Sequence, residues 1–403
     1  MATARRGRRG HRLGLALAGG GAEGAVYEIG ALRALEEAIE GLDLNTIHVY
    51  VGVSAGAFVA AALANGQTTS QLVRGLVKRV PGENPYDAWT FFTPAYGDWV
   101  RRGIRVPALA GDLLLQGLRE PWTVTRSLLR LSRVLPLGLF DNEPIRRFLA
   151  RAFSRPGRTD DFRRLRQKLF VVAADLEAGV PIVFGRDGWD HIPISTAVQA
   201  STAVPGVYSP VEIEGRLCVD GVLLKTVHAS VALEEGADLL LCVNPLVPVD
   251  VAAGEQRGAL RPGSLVRYGL PAIMSQTFRT LIHSRMVVGM ARYRSRFPRA
   301  DVALFEPDRD EYRLFFSNVF SFRARREICE IGYRATRRDL WRRRAVLAPM
   351  FRRHGLRLRE ERLRDLDRSV WDGVGLGHAE RGAPVSAQLA EALTRLEASL
   401  ATR

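Results

Sequence analysis

Ile47-His48-Val49-Tyr50-Val51-Gly52-Val53-Ser54-Ala55-Gly56, continued by small apolar residues to Ala64, is the stretch whose reading decides the fold. Residues 47–53 form a short apolar run that suits a buried parallel strand. Ala55–Ala64 is built largely of alanine and predicts a helix that packs closely on a sheet. At their junction stands Gly52-Val53-Ser54-Ala55-Gly56, a G-x-S-x-G pattern. Flanking glycines allow the sharp turn that lifts a serine Oγ above a sheet, the geometry of a nucleophile elbow. A chance match to three positions is common in a chain with 38 Gly. A match with a strand before it and a helix after it is much rarer.

One unit upstream, Arg12–Ala18 is a second apolar run, ending in Gly19-Gly20-Gly21-Ala22-Glu23-Gly24. Residues 22–40 then read as a helix, with Ala25, Ile29, Leu32, Leu35 and Ile39 at helical spacing. The glycines fit G-x-G-x-x-G, so a dinucleotide site must be weighed. Such a site wants an acid at the end of the second strand to hold the ribose. Asp43 precedes that strand, and its end, Val51-Gly52-Val53-Ser54, carries none. The dinucleotide reading fails there. What survives is a set of backbone N–H groups at a helix N-terminus, suited to negative charge, including a transient oxyanion.

Strand–helix–strand–helix at this spacing argues for an α/β fold with a parallel sheet. Further strands are expected at Leu169–Ala173, Pro181–Phe184, Arg216–Val219, Leu239–Val243 and Val302–Phe305, and helices over 272–295 and 323–344. Residues 68–165 read as mainly helical and loop-rich. Gly373–Pro384 resembles a linker, with a final helix after it. There is no internal repeat.

The 403 residues are 47% hydrophobic and 25% charged, which excludes wholesale disorder and allows a large core. Cys218, Cys242 and Cys329 lack metal-site spacing and cannot form a disulfide framework, so a reducing, cytoplasmic setting is expected. No metal site or cofactor is expected. The net charge of +15 is unevenly placed. Residues 1–12 carry five Arg and no acid, and read as a disordered basic arm. Residues 251–360 hold 24 Arg against 10 acids. The arm and the six apolar residues after it imitate a signal peptide, whose apolar core is usually ~7–15 residues. Val49–Ala64 is shorter than the ~20 residues a spanning helix needs. On the helix at 323–344, Arg323, Arg326, Arg334, Arg337 and Arg338 accompany Ile328, Ile331 and Leu340. That pattern reads first as an amphipathic helix packed on the core, and second as attraction to an anionic membrane surface. The charge suits nucleic acid, but no recognised binding motif supports that partner.

A serine nucleophile needs a base. His191, His228, His283, His354 and His378 are conceivable partners, none within a local motif. His48 begins the elbow strand, and His11 sits in the arm. The other candidate is Asp220, in Leu217-Cys218-Val219-Asp220-Gly221. From spacing alone, Asp-Gly between two apolar runs is an equally good hairpin turn.

Taken together, Gly19–Gly24, the elbow Gly52–Gly56, Asp175-Leu176-Glu177-Ala178-Gly179, Ala200–Gly206, Asp220-Gly221 and Gly236-Ala237-Asp238 resemble the bacterial patatin-like phospholipases, in order and in context. The resemblance runs from about Leu13 to Pro245. It implies a three-layer α/β/α patatin-like (lysophospholipase-like) sheet, with a helical cap within about 68–165 and a C-terminal helical extension. It divides the chain into arm 1–12, catalytic domain 13–245, basic extension 246–370, and linker with helix 371–403. It also implies a serine lipid acyl-hydrolase in which Ser54 is the nucleophile and Asp220 the proton acceptor, with no histidine. Gly20, Gly21 and Ala55 would supply oxyanion N–H groups. The implied partner is a lipid or acyl-ester substrate. Acyl transfer to an alcohol, and a catalytically silent lipid-binding protein, are the alternatives.

The chain departs from the family pattern at three places. Glu23 stands where the glycine loop usually carries Arg or Lys. Val222 follows Asp-Gly where Gly or Ala is usual. Asn and Pro, which often come next, are replaced around Thr226 and His228. These departures bear on substrate preference and leave the nucleophile and the acid in place.

Overall fold

The computed structural model describes residues 11–77, 92–97, 136–316 and 322–374. The arm up to residue 10, most of the expected cap, and the expected linker and final helix from residue 375 lie outside the described residues.

Near-continuous apolar runs become the central strands, because a strand covered on both faces has no polar side to show. In chain order these are β1 (Leu13–Leu17), β2 (Val49–Val53), β3 (Lys168–Asp175), β4 (Val180–Phe184), β5 (Val211–Ile213), β6 (Arg216–Asp220), β7 (Leu239–Val243) and β8 (Asp301–Phe305). They form one eight-stranded sheet in the order β8-β7-β1-β2-β3-β6-β5, with β4 paired to β3 off that path. Neighbours from β8 to β3 pair in parallel. The pairings of β4, β5 and β6 are antiparallel, which the parallel expectation did not include. Tight turns link β3 to β4 and β5 to β6, whereas β4 reaches β5 through a segment that includes Ile194–Ser201. Glu214 and Gly215, both with positive φ (50° and 73°), turn β5 into β6.

Alternate side chains go to opposite faces. Leu15, Leu17, Tyr50, Val171 and Leu241 meet α1 (Gly21–Ala38), α2 (Ala55–Ala64), α3 (Ile194–Ser201) and α6 (Phe322–Arg342). Ala16, Val51, Phe170, Val172 and Cys242 meet α4 (Ala229–Glu234) and α5 (Gly269–Arg296). The result is three layers, α/β/α. The expected helix over 22–40 stops at Ala38, because Ile39–Glu40 instead pairs with Arg357–Leu358.

Residues after 245 are built into this body. β8 is an edge of the main sheet, and α6 lies along α1. Their backbones touch: a Cβ on Gly30 would stand 2.0 Å from the Cys329 carbonyl oxygen, and one on Gly332 2.2 Å from that of Tyr27. Glu37 then ties α1 to the C-terminal segment through the Tyr333 hydroxyl (2.7 Å) and Arg368 (2.9 Å). The arginines of α6 are largely occupied. Arg334 pairs with Glu330, Arg337 donates to the carbonyl oxygens of Arg362 and Asp365, and Arg338 faces Asp308. Arg326 stacks over Trp371. The packed amphipathic helix is what the structure contains.

Gly30→Ala tests the crossing. Helix propensity alone would stabilise the variant by about 1 kcal/mol. The added methyl has no room, so overpacking of roughly 1–3 kcal/mol should win and lower the urea midpoint. A raised midpoint would mean that the helices do not meet there.

Candidate active site

The pairing of β3 brings the site together. β2 occupies residues 168–172 of β3, ending with Val53 opposite Val172. β6 occupies 173–175, ending with Asp220 opposite Ala173. β4 pairs with 171–175 and overlaps both, so it takes one edge, and β2 and β6 must share the other. Two strands running in opposite directions therefore meet end to end. Ser54 follows one and Asp220 ends the other.

Ser54 has φ 53° and ψ −123°, a sparsely populated conformation for a residue with a side chain. Both elbow glycines are needed for close approach. A Cβ on Gly52 would stand 2.4 Å from Ala57 Cα, and one on Gly56 2.4 Å from the Ala18 carbonyl oxygen. The Gly56 N–H donates to that oxygen at 3.0 Å, tying α2 to the end of β1. The Ser54 N–H donates to Ser201 Oγ at 2.8 Å, and Ser201 Oγ donates to the Val172 carbonyl oxygen at 2.7 Å. Two residues later in the same stretch, the Ala203 carbonyl accepts from the Asp220 N–H at 3.0 Å. The segment around 200–206 thus holds both halves of the site. Its residues carry the family resemblance, but nothing in their spacing told which side chain would clasp the elbow.

Asp220 is wholly buried and Ser54 only 4% exposed. Asp220 Oδ1 accepts from the Val222 N–H at 2.9 Å, the start of a 3-10 turn over Gly221–Leu223. The hairpin alternative for Asp220-Gly221 therefore does not form; the hairpin sits one strand earlier, at Glu214-Gly215. Because the Val222 backbone makes this bond, the departure at 222 leaves it intact. Burial pushes the Asp220 carboxyl up to about 7, opposed by the nearby Ser54 hydroxyl and by the Val222 N–H. Oδ2 has no completed hydrogen bond among the described residues, so the serine lies against the carboxylate without being locked to it.

Gly19 lies against Ser54 and Val222, while Gly20 and Gly24 are covered by Pro245. The N–H groups of Gly20, Gly21 and Ala55 donate to no acceptor among the described residues. They stand where α1 and α2 begin, and unpaired N–H groups at a helix start are able to stabilise negative charge. Burial raises the Glu23 carboxyl, and the positive charge of Arg279 on α5 opposes that shift. A cation therefore does act on the loop, but from a distant helix.

The described imidazoles are engaged elsewhere. His228 Nε2 bonds the Gly221 carbonyl oxygen at 3.1 Å, and burial lowers its ring to about 4, so the neutral form donates. His191 meets Glu214, His354 meets Asp301, and His283 stands 3.8 Å from Glu306. His378 lies outside the described residues. Asp175 closes the β3–β4 turn, accepting from the N–H groups of Glu177 and Ala178, and also pairs with Arg216.

An uncharacterized NTE family protein of Mycobacterium tuberculosis is 30% identical over 235 residues, which cover 58% of this chain and 30% of that protein. The uncharacterized protein YqhO of Bacillus subtilis is 26% identical over 203 residues, 49% of this chain and 57% of its own. The chain thus matches under a third of the length of its mycobacterial relative. Among solved structures, VipD from Legionella pneumophila aligns over 62% of this chain and 53% of its own, at 18% identity and a TM-score of 0.30. The sequence model for patatin-like phospholipases matches residues 15–233, more than half of the chain, including the glycine loop, Ser54, Ser201 and Asp220, and the chain belongs to that family.

Proposed function

We propose that the protein is a serine lipid acyl-hydrolase that cleaves carboxylic ester bonds through a Ser54–Asp220 dyad. The observation that carries this reading is the end-to-end meeting of β2 and β6, which leaves the elbow serine and a buried carboxylate at adjoining strand ends. Asp220 takes the Ser54 proton as Oγ attacks the ester carbonyl. The N–H groups of Gly20, Gly21 and Ala55 hold the oxyanion. The alcohol leaves with the proton from Asp220, and an acyl-enzyme remains. Water then gives a proton to Asp220 and attacks the acyl carbon; Asp220 returns that proton to the departing Ser54 Oγ, releasing the carboxylic acid and the free serine. An ordinary aspartate, with a pKa near ~4, is a weak base; burial makes this one a better match to neutral pH. The free, buried cysteines Cys218, Cys242 and Cys329 support a reducing compartment such as the cytoplasm. The basic excess after residue 250 supports peripheral attraction to anionic lipid.

Ser54→Ala should abolish hydrolysis of a p-nitrophenyl acyl ester with an unchanged thermal midpoint, and should remove labelling by a fluorophosphonate. Wild-type turnover in a folded Ser54→Ala chain would sink the nucleophile assignment.

The base gives a pH signature. The protonated carboxyl cannot accept, so kcat/KM should fall about tenfold per pH unit below about 7 and level off above it. Asp220→Asn should lose ~10²–10⁴ in rate. Folding carries the opposite sign. A carboxyl raised on folding contributes stability below its unfolded pKa of ~4, and that contribution is lost as pH rises through about 7. Asp220→Asn should therefore lose less stability than wild type across this window. Equal pH slopes in the two chains would show that the carboxyl is not perturbed.

Ser201→Ala removes the clasp on the elbow. Of the two bonds lost, the one to the Ser54 N–H, worth ~1–1.5 kcal/mol, should lower kcat about tenfold with KM little changed, and Ser201→Thr should restore it. A full kcat in Ser201→Ala would show that the strained turn stands without it.

A further inference from the structure

Helix α5 is poorly explained by packing alone. Of its 28 residues only Met286 is buried. Ile282, Met290 and Tyr293 share its side and pack partly against the second face of the sheet. On a 3.6-residue period, Leu270, Ile273, Met274, Phe278, Leu281 and Val288 fall on the other side. Each of these six is 39–68% exposed. Scattered exposed apolar residues need no explanation, whereas a contiguous stripe rimmed by charge marks an interaction surface.

The rim is basic. Residues 256–300 contain nine Arg and no Asp or Glu. Toward the C-terminal end of α5, Arg285, Arg292 and Arg296 turn to the same side as the stripe. Arg296 pairs with Glu234 across to α4. Arg285, Arg292 and the adjacent Lys225 make no ion pair among the described residues, although Arg285 Nη1 donates to the Leu223 carbonyl oxygen. Between them opens a cavity of about 470 Å³, with Val288, Met290 and Tyr293 in its walls. It lies directly after the Asp220 turn, since Leu224–His228 form its other side.

We propose that the exposed side of α5 is the surface on which the protein lands on an anionic lipid bilayer, its apolar stripe entering the acyl region while Lys225, Arg285 and Arg292 hold headgroup phosphates at the cavity mouth. This deepens the hydrolase reading and rests on it for the presence of a lipid substrate. A bilayer interface offers an apolar interior and a negative surface side by side, matching both parts of the helix. A second copy of the chain would instead bring acid-free basic faces together. No described helix is long and apolar enough to cross a membrane, so the helix would lie in the interface. The placement serves the site: α5 reaches the glycine loop through the charge of Arg279 on Glu23. It is also fixed to the loop after β7 by Gln276, which donates to the Val249 carbonyl and accepts from its N–H.

The test is co-sedimentation with phosphatidylcholine vesicles, with and without phosphatidylglycerol, across a salt series. The chain carries Ser54→Ala, so that no lipid is consumed through Ser54, and vesicle binding is read directly rather than through turnover. The parent should prefer the anionic vesicles. Leu281→Asp should weaken binding about tenfold or more at every salt concentration, because burial of an apolar side chain is lost. Arg285→Gln with Arg292→Gln should cost roughly fivefold per cation and reduce the anionic preference accordingly. Only the arginine-dependent part should fade with salt, since it is screened over ~8 Å at physiological strength. Thermal midpoints of these surface variants should match the parent. Equal binding by all variants overturns the proposal. Absence of vesicle binding also overturns it and leaves the face to an acidic protein. So does a lipid-free dimer that Leu281→Asp dissociates, which would assign the face to a second copy.

Discussion

One edge of a single strand governs this molecule. β3 is long enough to receive the parallel β2 on its first five residues and the antiparallel β6 on its last three. Every feature of the candidate site follows from that junction. The chain must turn sharply at Ser54, because β6 occupies the edge beyond Val53. It must also turn at Asp220, because β2 occupies the edge before it. The carbonyl of Val172, at the last rung of β2, is taken by Ser201 Oγ, which in turn fixes the Ser54 amide. A residue in a costly backbone conformation persists only where its surroundings over-determine it. Here two glycine contacts, a side-chain clasp and a strand end do so.

The same junction accounts for the unusual carboxylate. Asp220 comes at the inner end of a strand, with sheet on one side and the 3-10 turn on the other, so water is excluded. A charge there is costly unless it is well solvated by hydrogen bonds. One oxygen has a backbone donor and the other has none, which leaves the group poised between protonation states near neutral pH. Full satisfaction would have made it a permanent anion.

Much of the fold was legible because each central element announces itself locally. Leu239–Val243 and Ala55–Ala64 appear with the bounds that their apolar runs suggest. What sequence could not supply was the meeting of distant ends. Asp-Gly suits a hairpin and a 3-10 start equally well, and only the pairing of β6 with β3 decides between them. Helix α5 was legible as a helix but not as a surface, because its two opposed apolar sides cancel in any periodic signal. Conversely, the arginine-dense α6 drew attention for charge that the fold neutralises through Glu330, Asp308 and backbone carbonyls. Net charge counts residues; only the packing shows which of them still face water.

The contact of α1 with α6 bears on how the chain matures on the ribosome. The glycine loop rides on a helix made well before its long-range partners, as in the bond between Tyr333 and Glu37, 296 residues apart. Contacts of such separation form late and slow folding. Until α6 emerges, the groove along Gly30 stays open and β7 lacks β8 as its neighbour, so the amides of Gly20 and Gly21 hang on an unsupported helix. The glycine loop would thus gain its final support only once Tyr333, 296 residues after Glu37, had been translated.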